Sequence, residues 1–228
     1  MNSQNQTPFQ GEDDRSRGDG EVTHIRHSNR WRVVDIAVAS VIGVASAFIY
    51  WVVAIVTSVP WSLLDGVIPG LGGILNGLYL FAAPLAILIV RRPGAAIYAE
   101  VVAAVLESLL GSQWVPVETF LIGLLQGAMA ELVFALCRYR RWNLPTVTLS
   151  GMAAGLGCWI YTFCTHLQAI SLTGPYGLIY LVATLVSGAL LAGVLVWYLY
   201  LAIARTGALD RFESGRLPRS GSRKGTKA

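Results

Sequence analysis

The sequence predicts an all-α membrane protein with six transmembrane helices. Of its 228 residues, 54% are hydrophobic and only 13% are charged, and the mean hydropathy is +0.57. Soluble domains carry about 25% charged residues, so this chain lacks the polar surface that would cover it in water. Between residues 36 and 90 the single charged side chain is Asp65. This composition excludes a soluble nucleotide-binding enzyme and a disordered protein.

Short polar or Gly/Pro-rich breaks divide the apolar region into six segments. A helix needs about 20 residues to cross a hydrocarbon layer that is about 30 Å thick. The third segment is short, and Pro84 is expected to bend the second, because proline removes one backbone hydrogen bond within a helix. The predicted spans are 31–57, 74–90, 93–110, 117–137, 145–167 and 176–204.

The two ends of the chain differ from the transmembrane domain at 31–204. Residues 1–30 contain no long apolar stretch and no secretory signal, so they are predicted to be a disordered cytoplasmic leader. Residues 205–228 are predicted to be a basic, solvated cytoplasmic tail. Basic and aromatic residues do not alternate along this tail, which argues against nucleic-acid binding.

The basic residues indicate the orientation of the protein in the plasma membrane. All 17 Lys and Arg residues lie near the chain ends or in the connections after the second and fourth spans. The connections near 58–73, 111–116 and 168–175 contain none. Because basic residues accumulate on the cytoplasmic side, both termini are predicted to be cytoplasmic, and the number of spans must then be even.

Acidic residues inside the third and fourth spans are the first candidates for a functional site. Glu100 and Glu107 are seven residues apart on the third span and therefore share one helix face. Gln126 and Glu131 lie on the fourth. An ionised carboxylate in hydrocarbon costs about 2.5 kcal/mol or more, and these spans contain no Lys or Arg. The missing positive charge is a proton, a neighbouring subunit's side chain or a ligand.

Aromatic residues gather toward the predicted outer side and extend this candidate site. Glu107, Trp114, Glu118 and Gln126 are expected to border one outward-opening cavity. Ring faces and a carboxylate both favour positive charge, so such a cavity suits a flat cation. Aromatic side chains at this depth also form the interfacial belt of membrane proteins. The remaining candidates for substrate binding are Tyr79, Trp159, Tyr161 and His166.

The connection at 58–73 is a candidate lid. It is rich in Pro and Gly and also carries Trp61 and Asp65. Loops of this composition either fold back over a site or form a surface turn. Trp61 and Asp65 are the lid residues if the loop closes over the cavity.

Small residues at four-residue spacing form a ridge on the first span. Ala39, Gly43 and Ala47 make up this ridge, which allows another helix to approach closely. Similar ridges lie on the fourth and sixth spans. They serve either packing within the protein or docking of a partner membrane protein, and the ridge on the first span is the candidate docking surface.

Signatures of enzymes and metal sites are missing from the sequence. The chain contains no phosphate loop, no H-E-x-x-H and no dinucleotide fingerprint. Its cysteines lie in apolar runs without metal-ligand spacing. Ser150 and His166 match the pattern of an intramembrane serine hydrolase only weakly. We expect no catalysis, no metal and no cofactor.

Two motifs resemble a known transport family. The stretch R-R-P-G-A-A-I-Y-A-E-V-V-A-A-V-L-E-S-L-L-G at 91–111, followed by Q-G-A-M-A-E at 126–131, resembles the YkoE family. Members of that family are substrate-binding S components of energy-coupling factor (ECF) importers. The weaker stretches at 144–155 and 187–193 extend the resemblance over most of the six-span region.

The resemblance implies an S-component bundle that captures thiamine or its hydroxymethylpyrimidine precursor from outside. It also implies a transmembrane coupling protein and two ATPase subunits as partners. The family's motif acids correspond to Glu100, Glu107 and Glu131, and its amide to Gln126. Glu100 and Glu131 either bind the ligand or are structural, protonated and bonded to neighbouring helices. An alternative function is a stand-alone cation- or proton-coupled secondary transporter, in which the intramembrane carboxylates relay the coupling ion.

Overall fold

The computed structural model describes residues 31–111, 114–171 and 173–209. The predicted leader at 1–30 and most of the predicted tail lie outside these ranges. The described residues form helices and connecting turns, and no strand occurs among them. A 3₁₀ segment precedes α2, and a π-helical segment joins α6 to α7 without a break. The elements are α1 (Val33–Val67), the 3₁₀ segment (Leu71–Tyr79), α2 (Ala82–Val90), α3 (Ala95–Leu109), α4 (Pro116–Leu136), α5 (Leu144–Thr165), α6 (Pro175–Ser187), the π segment (Gly188–Leu195) and α7 (Val196–Arg205).

The all-helical, six-span architecture predicted from the sequence is confirmed. In the part of the chain that the structure describes, five helical stretches are long and apolar enough to cross a membrane. The sixth is α3, which has only 15 residues and corresponds to the short third span. At 1.5 Å per residue it measures about 22 Å. The protein is therefore a multi-pass membrane protein with one short internal helix.

The first helix is longer than predicted. It continues through Pro60 to Val67, so most of the expected external loop is helical. Proline removes a single backbone hydrogen bond, and a 35-residue helix tolerates that loss. The helix ends at Val67, and in the following turn Gly70 takes a positive φ of 94°, a conformation that favours glycine. Trp61 therefore stands on a helix and not on a mobile loop.

The second span is broken, but its proline is not the cause. The chain changes from the 3₁₀ segment to α2 at Leu80 and Phe81, before Pro84. Pro84 is the third residue of α2, where a backbone N–H has no partner within its own helix. The predicted bend at Pro84 is therefore wrong. All nine residues of α2 are buried, and α2 forms the centre of the bundle.

The small-residue ridge on α1 packs inside the protein. Ala39 and Ala47 are 0% and 1% exposed. A Cβ on Gly43 would lie 2.8 Å from Cγ1 of Val102 and 3.0 Å from the carbonyl oxygen of Ala99. The ridge thus closes against α3. The prediction that Ala39, Gly43 and Ala47 dock a partner is wrong, because their surface is already covered.

The ridge on α4 and the small residues of the π segment also close internal helix contacts. A Cβ on Gly123 of α4 would lie 2.6 Å from the Cβ of Ala104 on α3. A Cβ on Gly193 of the π segment would lie 2.6 Å from the Cα of Thr148 on α5. Real Cβ atoms do not approach so closely, so these glycines set the distance between neighbouring helices.

A buried ion pair joins the first helix to the turn between α2 and α3. Asp35 accepts from Nε of Arg92 at 3.3 Å, and both side chains are buried. Nearby, the indole Nε1 of Trp31 donates to the carbonyl oxygen of Pro93 at 2.9 Å. This end of the bundle is therefore closed by polar contacts between α1 and the α2–α3 turn.

Replacement of Gly43 by alanine tests the internal packing of the α1 ridge. We expect Gly43→Ala to cost about 1–3 kcal/mol, because the new methyl group overlaps Val102 and backbone of α3. The melting temperature of the isolated chain in detergent should fall. Gly66→Ala is the matched control, since nothing lies within 4 Å of a Cβ at Gly66 in the same helix. An unchanged melting temperature for Gly43→Ala would reinstate the ridge as a free surface.

Candidate ligand-binding site

A cavity of about 600 Å³ lies at the end of the bundle opposite the basic connections. Its walls come from the end of α1, the 3₁₀ segment, the end of α3, the start of α4, the end of α5 and the start of α6. Tyr50 and Glu100 are buried and form its floor, whereas Trp114 is 49% exposed and His166 is also exposed. The cavity therefore opens toward this end of the protein.

Most of the sequence-predicted site residues line this cavity, and three do not. Glu131, Trp159 and Asp65 lie outside its lining. The predicted grouping of Glu107, Trp114, Glu118 and Gln126 around one cavity is found in the structure. The predicted candidates that line it are Tyr79, Glu100, Glu107, Trp114, Gln126, Tyr161, His166 and Trp61.

Glu107 lines the cavity, and its carboxylate has no partner among the described residues. Its residue is 5% exposed, and within the described ranges its side chain makes no hydrogen bond or ion pair with another residue. An ionised carboxylate in such surroundings is costly unless a positive charge or several donors face it. Glu107 is therefore a buried carboxyl group of the cavity that no donor in the described part of the chain satisfies.

Glu100 belongs to the cavity floor, but its carboxylate is already used by the protein. Oε2 accepts the backbone N–H of Ala83 at 2.9 Å, and the hydroxyl of Tyr50 donates to Oε1 at 3.2 Å. The same hydroxyl accepts the N–H of Ala82 at 3.1 Å. Together these contacts satisfy the first N–H groups of α2, which lack partners within their own helix. Glu100 thus caps α2 from α3.

Glu131 caps α3 in the same way and lies away from the cavity. Its carboxylate accepts the N–H groups of Gly94 and Ala96 at 2.8 and 2.9 Å, and the hydroxyl of Tyr139 at 2.8 Å. Burial and the hydrogen bond to Glu131 raise the pKa of Tyr139, so its hydroxyl stays a donor. Of the two predicted roles for Glu131, the contacts agree with the structural one, and its placement in the substrate site is corrected.

Trp159 also lies outside the cavity. The preceding residue, Cys158, lines it, and consecutive helical residues point about 100° apart. The ring of Trp159 packs against Phe163 at 5.1 Å between centroids. Its Nε1 is buried without a hydrogen-bond partner among the described residues. The predicted role of Trp159 in substrate binding is therefore corrected to packing along α5.

Three aromatic side chains form one side of the cavity, which we call the aromatic wall: Trp61, Tyr176 and Tyr180. The rings of Tyr176 and Tyr180 stack at 6.2 Å with 15° between their planes, and Trp61 lies 6.3 Å from Tyr180. Asn76 donates to the hydroxyl of Tyr180 at 3.0 Å. The site prediction omitted Tyr176, Tyr180 and Asn76, although the four-residue spacing of the tyrosines indicated a shared face.

The predicted lid residues belong to ordered structure: Trp61 is part of the aromatic wall, and Asp65 contacts it. Asp65 lies in the last turn of α1, and its Oδ1 accepts the N–H groups of Gly70 and Gly72 at 3.1 and 3.0 Å. Its Oδ2 accepts the hydroxyl of Tyr176 at 3.2 Å. Helix continuation through Trp61 and these contacts replace the loop that the sequence suggested. The assignment of Trp61 and Asp65 to a lid loop is corrected accordingly.

Polar groups complete the cavity lining. Gln126 faces the thiol of Cys158 on the neighbouring helix. At the mouth, Nε2 of His166 lies 3.8 Å from Oε2 of Glu118, and its ring lies 6.2 Å from that of Trp114. Over residues 31–111, 114–171 and 173–209, no group of three His, Cys, Asp or Glu residues is arranged to hold a metal ion. The lining combines aromatic rings with carboxylate and amide groups.

Ser150 does not take the position of a nucleophile. Its side chain is fully buried between α4 and α5, and its Oγ donates to the carbonyl oxygen of Ala130 at 3.0 Å. His166 lies at the far end of α5, at the cavity mouth. The weak hydrolase trace in the sequence thus corresponds to a helix-packing contact.

Comparison with known proteins identifies the class of this bundle. A crystal structure of an S component of an ECF transporter superimposes with a TM-score of 0.77 and 32% sequence identity. The match covers 86% of this chain and 96% of the other. The bundle therefore has the fold of an ECF S component.

The sequence comparisons give the family. Residues 34–157 match the family described as "ABC-type cobalt transport system, permease component". The putative HMP/thiamine permease protein YkoE of Bacillus subtilis (strain 168) is 33% identical over 191 residues, which cover 82% of this chain and 91% of that protein. The chain belongs to the YkoE family of S components, and the family resemblance predicted from 91–111 and 126–131 is confirmed.

The melting temperatures of variants at the three intramembrane glutamates test which of them cap a helix. Glu100 and Glu131 should behave as caps, and Glu107 should not. We expect Glu131→Gln to lower the melting temperature in detergent, because its three donors lose an acceptor and a charged hydrogen bond contributes about 1.5–3 kcal/mol. Glu100→Gln should behave similarly. Glu107→Gln should leave the melting temperature of the ligand-free protein unchanged or raise it. A loss at Glu107 equal to that at Glu131 would mean that Glu107 has a structural partner.

Proposed function

We propose that this chain binds thiamine or its hydroxymethylpyrimidine precursor as the membrane-embedded subunit of an ECF-type vitamin importer. The related YkoE protein is described as an HMP/thiamine permease. The observation that carries the proposal for this chain is the carboxylate of Glu107, which lines the cavity and has no hydrogen-bond donor or ion-pair partner among residues 31–111, 114–171 and 173–209. A cationic ligand would neutralise that group on entering.

The chemistry of the lining supports an aromatic cation. Thiamine has a permanently positive thiazolium ring and an aminopyrimidine with donor and acceptor groups on one edge. The rings of the aromatic wall can stack on such a ligand, and Gln126 offers both a donor and an acceptor. The cavity volume of about 600 Å³ lies within the usual range for small-molecule sites.

A cobalt ion fits the lining less well than an organic cation. The matched family is named for cobalt transport, and divalent transition metals are bound by convergent imidazole, thiolate or carboxylate groups. No such group of three occurs among the residues that the structure describes. Much of the lining is aromatic, which favours a flat organic ligand.

The proposal includes the partners of an ECF importer. A transmembrane coupling protein and two ATPase subunits would supply the energy for uptake, and this chain would supply the binding site. We further propose that the protein lies in the plasma membrane with both termini in the cytoplasm. The supporting observation is that the cavity opens at the end of the bundle whose connections lack Lys and Arg.

Glu107→Gln tests the binding site. We expect the Kd for thiamine to rise tenfold or more, since a charged hydrogen bond contributes roughly 1.5–3 kcal/mol. Binding is measured by tryptophan fluorescence of the purified protein during titration with thiamine and, separately, with hydroxymethylpyrimidine. Glu131→Gln, which removes a carboxylate outside the cavity, is the control for loss of stability: measured below its own lowered melting temperature, its thiamine affinity should fall much less than that of Glu107→Gln. Unchanged thiamine affinity in Glu107→Gln would reject the site.

Reconstitution tests the mode of transport. In proteoliposomes, the chain alone should bind thiamine without accumulating it, and uptake should require the coupling protein, both ATPases and ATP. The stand-alone transporter predicts the opposite: uptake by the chain alone, driven by an ion gradient and indifferent to ATP. Gradient-driven accumulation in the absence of the partners would therefore replace the S-component proposal with that alternative.

A further inference from the structure

The carboxylate of Asp65 connects the end of α1 to the start of α6 by hydrogen bonds. Asp65 accepts two backbone N–H groups, from Gly70 and Gly72, through Oδ1. Its Oδ2 accepts the hydroxyl of Tyr176, which lies 111 residues further along the chain. The first two contacts fix the turn after α1. The third crosses to α6 and fixes a ring of the cavity lining.

The glycines of this turn allow the close approach that the contact requires. A Cβ on Gly72 would lie 2.9 Å from the ring of Trp61 and 3.0 Å from Oδ1 of Asp65. A Cβ on Gly70 would lie 2.6 Å from the carbonyl oxygen of Tyr176. A larger residue at either position would push the turn away from the aromatic wall. The turn, the end of α1 and the start of α6 thus form one tightly packed unit.

Both tyrosines of the aromatic wall are held by their hydroxyl groups. Tyr180 receives a hydrogen bond from Asn76, and Asn76 also donates to Thr184 at 2.9 Å. Tyr176 donates to Asp65. With both hydroxyls fixed, the two rings stay parallel and keep their position in the cavity lining. A ring that is already ordered loses less conformational freedom when a ligand stacks on it.

We propose that Asp65 is a positioning residue of the ligand site: it acts through Tyr176 and keeps the aromatic wall in place before a ligand arrives. Asp65 does not line the cavity, so its effect on binding is indirect. The inference rests on the proposed function for the identity of the ligand, thiamine. The hydrogen bond that carries the effect is a property of the free protein.

A double-mutant cycle tests this coupling. Asp65→Asn keeps an oxygen for the two glycine N–H groups but replaces Oδ2 with an amide nitrogen, which cannot accept the tyrosine proton. Tyr176→Phe removes the hydroxyl and keeps the ring. We expect each change to raise the Kd for thiamine about fivefold, mainly through faster dissociation, and the double variant to bind no more weakly than either.

Tyr98→Phe is the matched control for loss of a tyrosine hydroxyl. Its hydroxyl bonds Ser40 at 2.8 Å, away from the cavity, so thiamine affinity should not change. Asp65→Ala removes all three acceptor contacts and should also lower the melting temperature, which separates the structural role of the turn from positioning of the ring. Additive effects of Asp65→Asn and Tyr176→Phe, or no effect of either on a protein that binds thiamine, would overturn the proposal.

A second measurement needs no ligand. In protein labelled with 3-fluorotyrosine, the ¹⁹F resonance that disappears in Tyr176→Phe belongs to Tyr176. In Asp65→Asn this resonance should move toward the position of free fluorotyrosine. If the unmodified protein binds neither thiamine nor hydroxymethylpyrimidine, the proposed function fails, and the ¹⁹F spectrum still decides the contact. An unmoved resonance would show that Asp65 does not hold the ring.

Discussion

Two short helices begin at buried positions, and carboxylates from neighbouring helices satisfy their first N–H groups. Away from water, an unsatisfied backbone N–H costs several kcal/mol. Glu100 on α3 caps α2, and Glu131 on α4 caps α3. Each cap also fixes one helix to the next, so α2, α3 and α4 hold one another in register. The floor of the cavity depends on this chain of contacts, because Glu100 is part of both the cap and the floor.

Buried acidic residues therefore occur in two settings in this bundle: some bond to the protein itself, and one lines the cavity. The carboxylates of Glu100 and Glu131 accept N–H groups at helix starts. Asp35, in the first turn of α1, forms an ion pair with Arg92. Glu107 differs in that it lies near the end of its helix, where the exposed backbone groups are carbonyls and cannot donate. A negative group there gains nothing from the helix. Its position near the end of α3 therefore excludes the capping role that Glu100 and Glu131 have.

The sequence predicted the features that follow from local periodicity, and it missed those that depend on a distant partner. The six spans and the shared face of Glu100 and Glu107 follow from hydrophobicity and the 100° step of a helix. The direction of the Gly43 ridge depends on Ala99 and Val102 of α3, which are far away in the sequence. The contact between Asp65 and Tyr176 likewise joins residues that are 111 positions apart. The sequence singled out the buried acids, but it did not separate the caps Glu100 and Glu131 from Glu107 in the cavity, because all three are carboxylates in apolar helices without a nearby basic residue.

In the proposed function, ligand recognition is divided between two parts of the bundle. The aromatic wall belongs to α1 and α6, whereas Glu107 belongs to α3. Hydrogen bonds within the protein order the aromatic wall without a ligand. Among the described residues the carboxylate of Glu107 has no hydrogen-bond donor, and the ligand would supply its partner. A cation that stacks on the wall and neutralises Glu107 would join the two parts. Because such a ligand would bind only the folded protein, it would also stabilise the fold, by an amount that grows with the logarithm of the ligand concentration once that concentration exceeds the Kd.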